Sequence, residues 1–284
     1  MPLSALVTGG TGFVGRHLVS ALREAGWRVA TLDRHAPADH VGDLGTMPLR
    51  ALRADVVFHL AGFSNPAASI EAAAEAYAAN ATATSRLVRE VRAGRFVLAS
   101  TCQVYPYSPR PVTESATPRP GSPYAASKLC GEALALASGR DVVILRPFNH
   151  TGPGQVADYI CPFIARQVAR AEAGGSRTVS VKNRSPRLDL FDVRDMARAY
   201  LAAAERGRRG TVYNVGTGRP VSIGDILDVL VSLSRVPLRV QARRGPETVL
   251  SGDSSLFRSH TGWRPRLPLR RTLSDLLTHE RMLK

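Results

Sequence analysis

The chain has 284 residues, 44% hydrophobic and 21% charged, so it can bury a large α/β core as one unit or as a core with a smaller lobe. Its formal net charge is +15, but the arginines are scattered and form no basic tract, so we expect no nucleic-acid partner. The three cysteines do not have the spacing of a metal site, so we expect no bound metal. No apolar run approaches the length of about 18 residues that a membrane span needs, and no charged leader precedes the first strand. We therefore expect a soluble, cytoplasmic protein without a membrane segment.

A strand, a glycine turn and a helix open the chain. The apolar run at residues 3–7 is followed by TGGTGFVG at residues 8–15, and a helical stripe then continues to Gly26. Glycines with this spacing allow a tight turn, close approach of the backbone to a pyrophosphate and close packing of helix on strand. The pattern predicts a dinucleotide site at the amino end of the first helix.

The second predicted strand ends just before Asp33 and Arg34. An acidic residue about 20 positions after the glycines binds the ribose of NAD, whereas an arginine there can pair with the extra phosphate of NADP. Both types are present, and Arg16 shifts our prediction slightly towards NADP(H) over NAD(H). Asp43 and Leu44 follow in the link to the third strand, where we expect them at the adenine edge.

Strands and helices alternate through the next hundred residues. We predict strands at residues 54–60, 95–99 and 141–145 and helices at residues 66–91 and 123–137. This series predicts a Rossmann-type, doubly wound parallel sheet with ligands at the carboxyl ends of its strands. We expect residues 1–155, with 181–216, to form this unit, and residues 156–180 and 217–284 to form a smaller substrate-binding lobe.

Tyr124 and Lys128 lie four residues apart on the last predicted helix. Lysine occurs only at positions 128, 182 and 284, while arginine is abundant, which favours a specific need for an ammonium group at 128. Positions i and i+4 share a helix face, and a neighbouring ammonium lowers the pKa of a tyrosine from about 10. The pair is therefore a candidate proton donor and acceptor, although a surface pair on an amphipathic helix has the same spacing.

Together these motifs resemble the extended short-chain dehydrogenases/reductases, the NAD-dependent epimerase/dehydratase family. The resemblance rests on TGGTGFVG at 8–15, Asp33, HLAG at 59–62, Asn80, STCQVY at 100–105 and YAASK at 124–128. It implies that Thr101 is the catalytic hydroxyl partner, that Tyr124 is the acid/base, and that Lys128 binds the nicotinamide ribose. It also implies cofactor contacts from Gly9, Thr11, Gly12, Phe13, Val14, Gly15, Asp33, Arg34, Asp43, Leu44, Leu60, Ala61, Gly62, Ser100, Tyr124 and Lys128.

The carboxyl half resembles the nucleotide-sugar branch of that family. The matching segments are residues 146–155, 181–200, 212–218 and 252–269, and they are most similar to reductases of GDP-linked 4-keto-6-deoxyhexoses. The resemblance implies a homodimer and substrate contacts from Ser64, Thr101, Tyr124, Asn149, Asn183, Arg187 and Arg244. Residues 242–251 depart from the pattern, which leaves the nucleotide base, GDP or dTDP, open.

The implied reaction is the NAD(P)H-dependent reduction of the 4-keto group of a nucleoside-diphosphate 4-keto-6-deoxyhexose. A nucleotide-sugar 4-epimerase with tightly bound NAD uses the same three residues and stays an alternative. A 4,6-dehydratase carries an acidic residue beside the catalytic threonine, where this chain has Cys102 and Gln103. A non-catalytic dinucleotide-sensing or RNA-associated protein is the alternative of another class, but it would not need the three catalytic residues.

Overall fold

A seven-stranded sheet forms the centre of the computed structural model, which describes residues 1–283. In spatial order its strands are β10 (Thr211–Val215), β6 (Val142–Pro147), β5 (Arg92–Ala99), β4 (Arg53–His59), β1 (Ser4–Thr8), β2 (Arg28–Asp33) and β3 (His40–Val41). All neighbouring pairs run parallel. The chain winds outwards on either side of β1, so the carboxyl ends of β1 and β4 border a crevice. The predicted fold class is confirmed.

Helices cover both faces of this sheet. The helices within residues 1–283 are α1 (Phe13–Glu24), α2 (Ala73–Tyr77), α3 (Ala83–Glu90), α4 (Pro123–Leu136), α5 (Ile160–Glu172), α6 (Val193–Arg206), α7 (Ile223–Ser232), α8 (Ser255–Thr261) and α9 (Leu269–Met282). Apolar side chains of α1 and α6 pack on one face and those of α3 and α4 on the other. Among residues 1–283, no helix is both long enough and apolar enough to cross a bilayer.

The predicted single helix over residues 66–91 is wrong. Residues Ala68–Ile70 form a 3₁₀ turn, and a π turn at Ala78–Thr82 joins α2 to α3. The hydroxyl of Thr84, in the first turn of α3, donates to the carbonyl oxygen of Asn80 in this π turn at 2.7 Å. A side-chain bond of this kind competes with the backbone bonds of a regular helix, and π turns are frequent at functional sites.

Strand β5 starts at Arg92, three residues before its predicted beginning. Gly94 therefore lies inside the strand, although a glycine shortly after a predicted helix usually marks the end of that helix. A side chain at this position would come within 3.0 Å of the carbonyl oxygen of Asp55 in neighbouring β4. Close approach of two strands thus accounts for this glycine, which the sequence pattern alone presents as a helix terminator.

The remaining strands form two small sheets beside the main one. They are β7 (Asn149–Thr151), β9 (Arg187–Asp192), β11 (Pro220–Ser222) and β13 (Val249–Leu250) in one, and β8 (Thr178–Val181) with β12 (Arg239–Ala242) in the other. Helices α5, α7 and α9 share a separate apolar core with these elements. Strand β7 follows β6 directly and pairs with β9, so the smaller lobe adjoins the carboxyl end of the main sheet. The chain positions at which we divide the two units remain a prediction.

Candidate active site

The glycine loop between β1 and α1 brings the ends of β1 and β4 into contact. Gly9 has a φ of +70°, and a side chain there would lie 2.7 Å from the amide nitrogen of Ala61. A side chain on Gly15 would collide with the carbonyl oxygen of Gly9. No side chain caps the first turn of α1, whose N-cap is Gly12. Bare backbone N–H groups at the positive end of a helix fit a pyrophosphate, so the residues present fit a bound NAD(P).

The end of β2 carries the residues predicted to distinguish the two cofactors. The carboxylate of Asp33 accepts hydrogen bonds from the amide of Thr11 at 3.2 Å and from its hydroxyl at 2.5 Å. Nε of Arg34 lies 3.0 Å from Oδ2 of Asp43 in an exposed ion pair. Exposed pairs contribute little free energy, so Arg34 is available to a phosphate. Leu44 is buried, with 7% of its surface exposed.

Thr101 and Tyr124 meet where β5 ends and α4 begins. The hydroxyl of Thr101 accepts a hydrogen bond from the amide of Gln103 at 3.2 Å and caps a short 3₁₀ turn. Tyr124 lies in the first turn of α4, and its amide donates to the hydroxyl of Ser69 at 3.0 Å. Ser122 caps the same helix through the amide of Ala125 at 3.2 Å. Two side-chain contacts to the backbone of this turn thus hold the tyrosine in place.

The pKa of Tyr124 differs from the sequence expectation. Burial raises it to about 12, and the hydroxyl of Thr101 opposes the shift. The expected lowering by Lys128 is wrong, because the removal of the phenol from water has a larger effect on this pKa than the neighbouring groups have. A buried phenol with a raised pKa is protonated at neutral pH, which is the state that a proton donor requires.

Lys128 points into the protein beneath the crevice. Its Nζ donates to the carbonyl oxygen of Ala99 at 3.0 Å. A side chain on Gly62 would come within 3.2 Å of the same nitrogen and would collide with Oδ1 of Asn80. Burial lowers the pKa of Lys128 to about 8, and the charge of Glu132 raises it again in part. Gly62, Asn80 and Lys128 are therefore packed so closely that a side chain at position 62 would not fit without movement of its neighbours.

The side chain of Asn80 joins the π turn to the catalytic helix. Its amide nitrogen donates to the hydroxyl of Ser127 and to the carbonyl oxygen of Phe63, both at 3.0 Å. Its amide oxygen accepts from the backbone N–H of Phe63 at 3.0 Å. Asn80 is 2% exposed, so these bonds are shielded from water. The π turn therefore fixes the segment after Gly62 next to α4.

A buried histidine links the glycine loop to the same turn. His59 Nδ1 lies 2.7 Å from the hydroxyl of Thr8, and its Nε2 lies 2.9 Å from the hydroxyl of Thr84. The Thr84 hydroxyl donates to Asn80, so we assign the imidazole proton to Nε2. Burial, then the charge of Lys128, lowers the pKa of His59 to about 3, so the ring is neutral. Its role is thus to connect hydroxyl groups rather than to carry charge.

Sequence reasoning missed Glu132 and Arg146. Both side chains are buried, and Arg146 Nη2 lies 2.6 Å from Glu132 Oε2. The signal was present, because Glu132 follows Lys128 by four residues on one helix face and Arg146 ends an apolar strand. Charged residues at such positions are almost never fully buried unless they are paired.

The predicted substrate contacts fall into separate groups. Asn149 opens β7 and is half-buried, whereas Ser64 is exposed and its carbonyl oxygen lies 3.4 Å from the hydroxyl of Tyr159. Arg187 opens β9, donates to the carbonyl oxygen of Pro220 at 2.9 Å and lies 4.0 Å from Glu247.

Asn183 lies close to the segment that contains Arg244. Its amide nitrogen donates to the carbonyl oxygen of Pro246 at 3.0 Å. Arg244 itself is exposed. The structure therefore brings Asn183, Arg187 and residues 244–247 together on the smaller lobe. Strand pairing sets Asn149 opposite Leu190, which places Arg187 about 10 Å further along β9. Within residues 1–283, no group of three or more His, Cys, Asp or Glu side chains could hold a metal ion.

Comparison with known proteins finds relatives that match nearly the whole chain. GDP-6-deoxy-D-mannose reductase from Pseudomonas aeruginosa is 31% identical over 96% of this chain and 95% of its own. The solved structure of RMD from Pseudomonas aeruginosa complexed with NADPH is 30% identical, with a TM-score of 0.89 over 99% of this chain and all of the other. MoeE5 in complex with UDP-glucose and NAD is 31% identical, with a TM-score of 0.87 over 98% of both chains.

Proteins with other activities are also similar. They include dTDP-glucose 4,6-dehydratases and UDP-glucose 4-epimerases, at 27–31% identity. The sequence profile described as the NAD dependent epimerase/dehydratase family matches residues 5–216. This chain, with its glycine loop and its Thr101, Tyr124 and Lys128 cluster, belongs to the NAD dependent epimerase/dehydratase family.

Proposed function

We propose that the protein reduces the 4-keto group of a nucleoside-diphosphate 4-keto-6-deoxyhexose with NAD(P)H. The observation that carries the proposal is the meeting of Thr101, protonated Tyr124 and Lys128 beside the glycine loop. The similarity to GDP-6-deoxy-D-mannose reductase supports GDP-4-keto-6-deoxy-D-mannose as the first candidate substrate and GDP-D-rhamnose as its product. A dTDP-linked analogue is the second candidate.

The chain's own residues divide the work of this reaction. When bound, the nicotinamide cofactor supplies the hydride that reduces carbon 4. Thr101 would orient the carbonyl oxygen, and Tyr124 would donate its phenolic proton to that oxygen as the alcohol forms. Lys128 would hold the ribose and stabilise the phenolate that is left. Proton donation of this kind contributes about 10² to 10⁴ in rate.

The residues after Thr101 favour a reductase over a dehydratase. Cys102 is buried, and burial raises the pKa of its thiol to about 12. Gln103 is exposed and carries no charge. Loss of water from the sugar needs a proton acceptor near Thr101, and neither side chain supplies one at neutral pH.

A 4-epimerase is the second candidate, supported by the similarity to UDP-glucose 4-epimerases. An epimerase takes the hydride from carbon 4 with NAD and returns it to the 4-keto sugar, so NAD is regenerated in each cycle and stays bound through purification. The two candidates therefore differ in whether purified protein already contains one equivalent of NAD, which acid denaturation and mass spectrometry would measure.

The test of the proposal is NAD(P)H oxidation at 340 nm by purified protein. NADPH and NADH would each be combined with GDP-linked and dTDP-linked 4-keto-6-deoxyhexose, and the product hydroxyl configuration read by NMR. Oxidation with one keto sugar and formation of the 4-hydroxy product supports the proposal and identifies the base. No oxidation with either sugar, together with one bound NAD per chain, would replace the reductase by the epimerase.

We further propose a homodimer formed through α2 and α4. Tyr77, Leu134 and Leu136 on these helices are large apolar residues with 37–42% of their surface exposed. Light scattering after gel filtration would give twice the mass of 30.5 kDa for the wild type. A monomer would reject the proposal. A cytoplasmic location and a preference for NADP(H) likewise remain proposals.

A further inference from the structure

The buried ion pair between Glu132 and Arg146 lies one turn beyond Lys128 on the catalytic helix. Nε of Arg146 donates to Oε1 of Glu132 at 2.9 Å, and Nη2 donates to Oε2 at 2.6 Å. Both residues are 5% exposed. A bidentate pair withdrawn from water needs further hydrogen bonds to offset its desolvation.

Those further bonds lead to the catalytic hydroxyl. The hydroxyl of Ser100 donates to Oε1 of Glu132. Ser100 precedes Thr101, and the amide of Ser100 is itself tied to the carbonyl oxygen of Leu145 at 2.8 Å. Glu132 therefore connects the Lys128 turn of α4 with the end of β5 from which Thr101 emerges.

Arg146 extends the connection to the loop that follows Thr101. Its Nη1 donates to the hydroxyl of Tyr105 at 2.6 Å, and that hydroxyl donates to Oδ1 of Asn214 at 3.0 Å. The guanidinium carbon also lies 4.9 Å from the centroid of the Tyr105 ring. One carboxylate and one guanidinium thus join α4, β5, β6 and β10 behind the catalytic side chains.

Glu132 also acts on Lys128 through its charge. Among the groups that shift the pKa of Lys128, burial is the larger and lowers it, and the carboxylate of Glu132 raises it. The anion therefore offsets part of the cost of keeping an ammonium group beneath the crevice.

We propose that Glu132 is a positioning residue for the reduction, which keeps Lys128 charged and Thr101 in place through its pair with Arg146. The inference rests on the proposed function, because it assumes that turnover requires a charged Lys128. A purely structural ion pair would hold the strands together but would leave the titration of Lys128 unchanged.

The surroundings of Lys128 and Glu132 contain few other titrating groups near neutral pH. From α4, Tyr124 faces the site and is protonated; from β4, His59 is neutral. The thiol of Cys102 and the phenol of Tyr105 have pKa values raised by burial. Burial also raises the pKa of Glu114, which bonds the amide of Asn214 beyond Tyr105. A change near pH 8 can therefore be assigned to Lys128.

The experiment titrates Lys128 directly. The full chain contains three lysines, so biosynthetic ¹³C-lysine gives three ε-methylene signals, assigned with Lys182→Arg and Lys284→Arg. We expect the Lys128 midpoint in Glu132→Gln to fall by about one pH unit, since a nearby opposite charge shifts a pKa by that order. Glu132→Asp keeps the charge and should restore most of the midpoint.

Two further variants distinguish a change in the titration of Lys128 from a general loss of folded structure. Glu280→Gln is the matched control, because Glu280 is a 3% exposed carboxylate that is paired with Arg166 at 2.9 Å on the smaller lobe. In this variant, Lys128 should titrate as it does in wild type. If Glu132→Gln does not fold, Glu132→Gln with Arg146→Met removes both charges and leaves no unpaired ion. The Lys128 midpoint should fall in this double variant as well.

Turnover supplies the second readout. The upper pH limit of kcat should move down with the Lys128 midpoint, so that kcat of Glu132→Gln at pH 8 is about fivefold lower and recovers towards pH 6. An unchanged Lys128 midpoint in folded Glu132→Gln, or in the folded double variant, overturns the inference. Because NMR titration needs no substrate, an inactive wild type with the expected midpoint shift would reject the proposed function alone.

Discussion

The imidazole of His150 stacks on the phenyl ring of Phe13, with ring centroids 6.1 Å apart and planes within 7° of parallel. Phe13 is the first residue of α1 and belongs to the glycine loop, whereas His150 directly follows Asn149. The cofactor side and the predicted substrate side of the crevice are therefore in direct contact.

Two hydrogen bonds strengthen this contact. Arg16 Nη2 donates to the carbonyl oxygen of Gly154 at 3.1 Å, and His17 Nε2 lies 3.0 Å from the carbonyl oxygen of Pro153. Burial lowers the pKa of His17, so at pH 7 a neutral ring donates from Nε2. The loop over residues 148–155 is thus held by the helix whose amino end fits a pyrophosphate.

The double variant Arg16→Ala with His17→Ala should loosen the loop that carries Asn149. The variant loses two hydrogen bonds worth about 1 kcal/mol each, so we expect KM for the nucleotide sugar to rise by up to about thirtyfold. Because the Arg16 guanidinium bonds the carbonyl oxygen of Gly154, we no longer expect it to pair with the extra phosphate of NADP, and the Kd for NADPH, measured by fluorescence, should stay within about threefold. Arg23→Ala, an exposed change on the same helix, is the control. Equal losses in both constants would mean that the helix contacts serve cofactor binding instead.

Replacement of Tyr124 by phenylalanine should abolish most turnover. The phenol is the proposed proton donor, so we expect kcat to fall by about 10² to 10⁴, with NADPH binding little changed. Tyr107→Phe is a suitable control because Tyr107 is 69% exposed. Single-turnover kinetics would separate loss of chemistry from loss of binding. A Tyr124→Phe protein with wild-type kcat would exclude the assigned role.

Lys128→Met should stabilise the protein while it removes activity. The folded pKa of about 8 lies below the ordinary value of 10.5, so the charged form destabilises the fold at every pH below about 8. Removal of the buried charge is favourable, and loss of the hydrogen bond to Ala99 offsets part of that gain. We expect the free energy of unfolding at pH 7 to rise by about 2 kcal/mol in total. The gain should shrink as the pH rises from about 8 to about 10.

The measurement is urea unfolding of both proteins across that pH range. Lys182→Met is the control, because Lys182 is exposed and its replacement should leave the free energy of unfolding nearly unchanged. A Lys128→Met protein that is less stable than wild type at pH 7 would show that the ammonium contributes more through its hydrogen bond than burial costs.

Arg34→Ala should affect the two cofactors unequally. If Arg34 leaves Asp43 to pair with the extra phosphate of NADP, the Kd for NADPH should rise about tenfold and the Kd for NADH should change little. Asp43→Asn releases the same arginine without removing it, so NADPH should bind at least as tightly as to wild type. An equal effect of Arg34→Ala on both cofactors would remove this arginine from the cofactor choice.

The sequence predicted the central sheet well because its signals are local. Residues 8–15 need only short-range geometry to form a glycine turn, and the apolar runs of β4 and β6 are buried where the pattern indicates. The similarity in overall fold to solved structures confirms that part of the prediction.

Features that depend on contacts between distant residues were not predictable. The π turn around Asn80 depends on Ser127 and Phe63, and the raised pKa of Tyr124 depends on how much water the folded site excludes. Likewise, Glu132 and Arg146 are separated by 14 residues and meet only because α4 leads back into β6. Hydrophobic periodicity and motif spacing describe single helices and strands, whereas these features depend on contacts between different helices and strands.

The π turn at Ala78–Thr82 has a consequence for how this helix tolerates insertions and deletions. A π turn holds one more residue than a turn of α-helix, and one residue corresponds to a rotation of about 100° around the axis. Loss of Ala79 would therefore swing Asn80 away from Ser127 or turn the apolar face of α3 away from the sheet. A one-residue deletion here would therefore rotate α3 relative to the segment that precedes it, an effect that replacement of a surface side chain in α3 would not have.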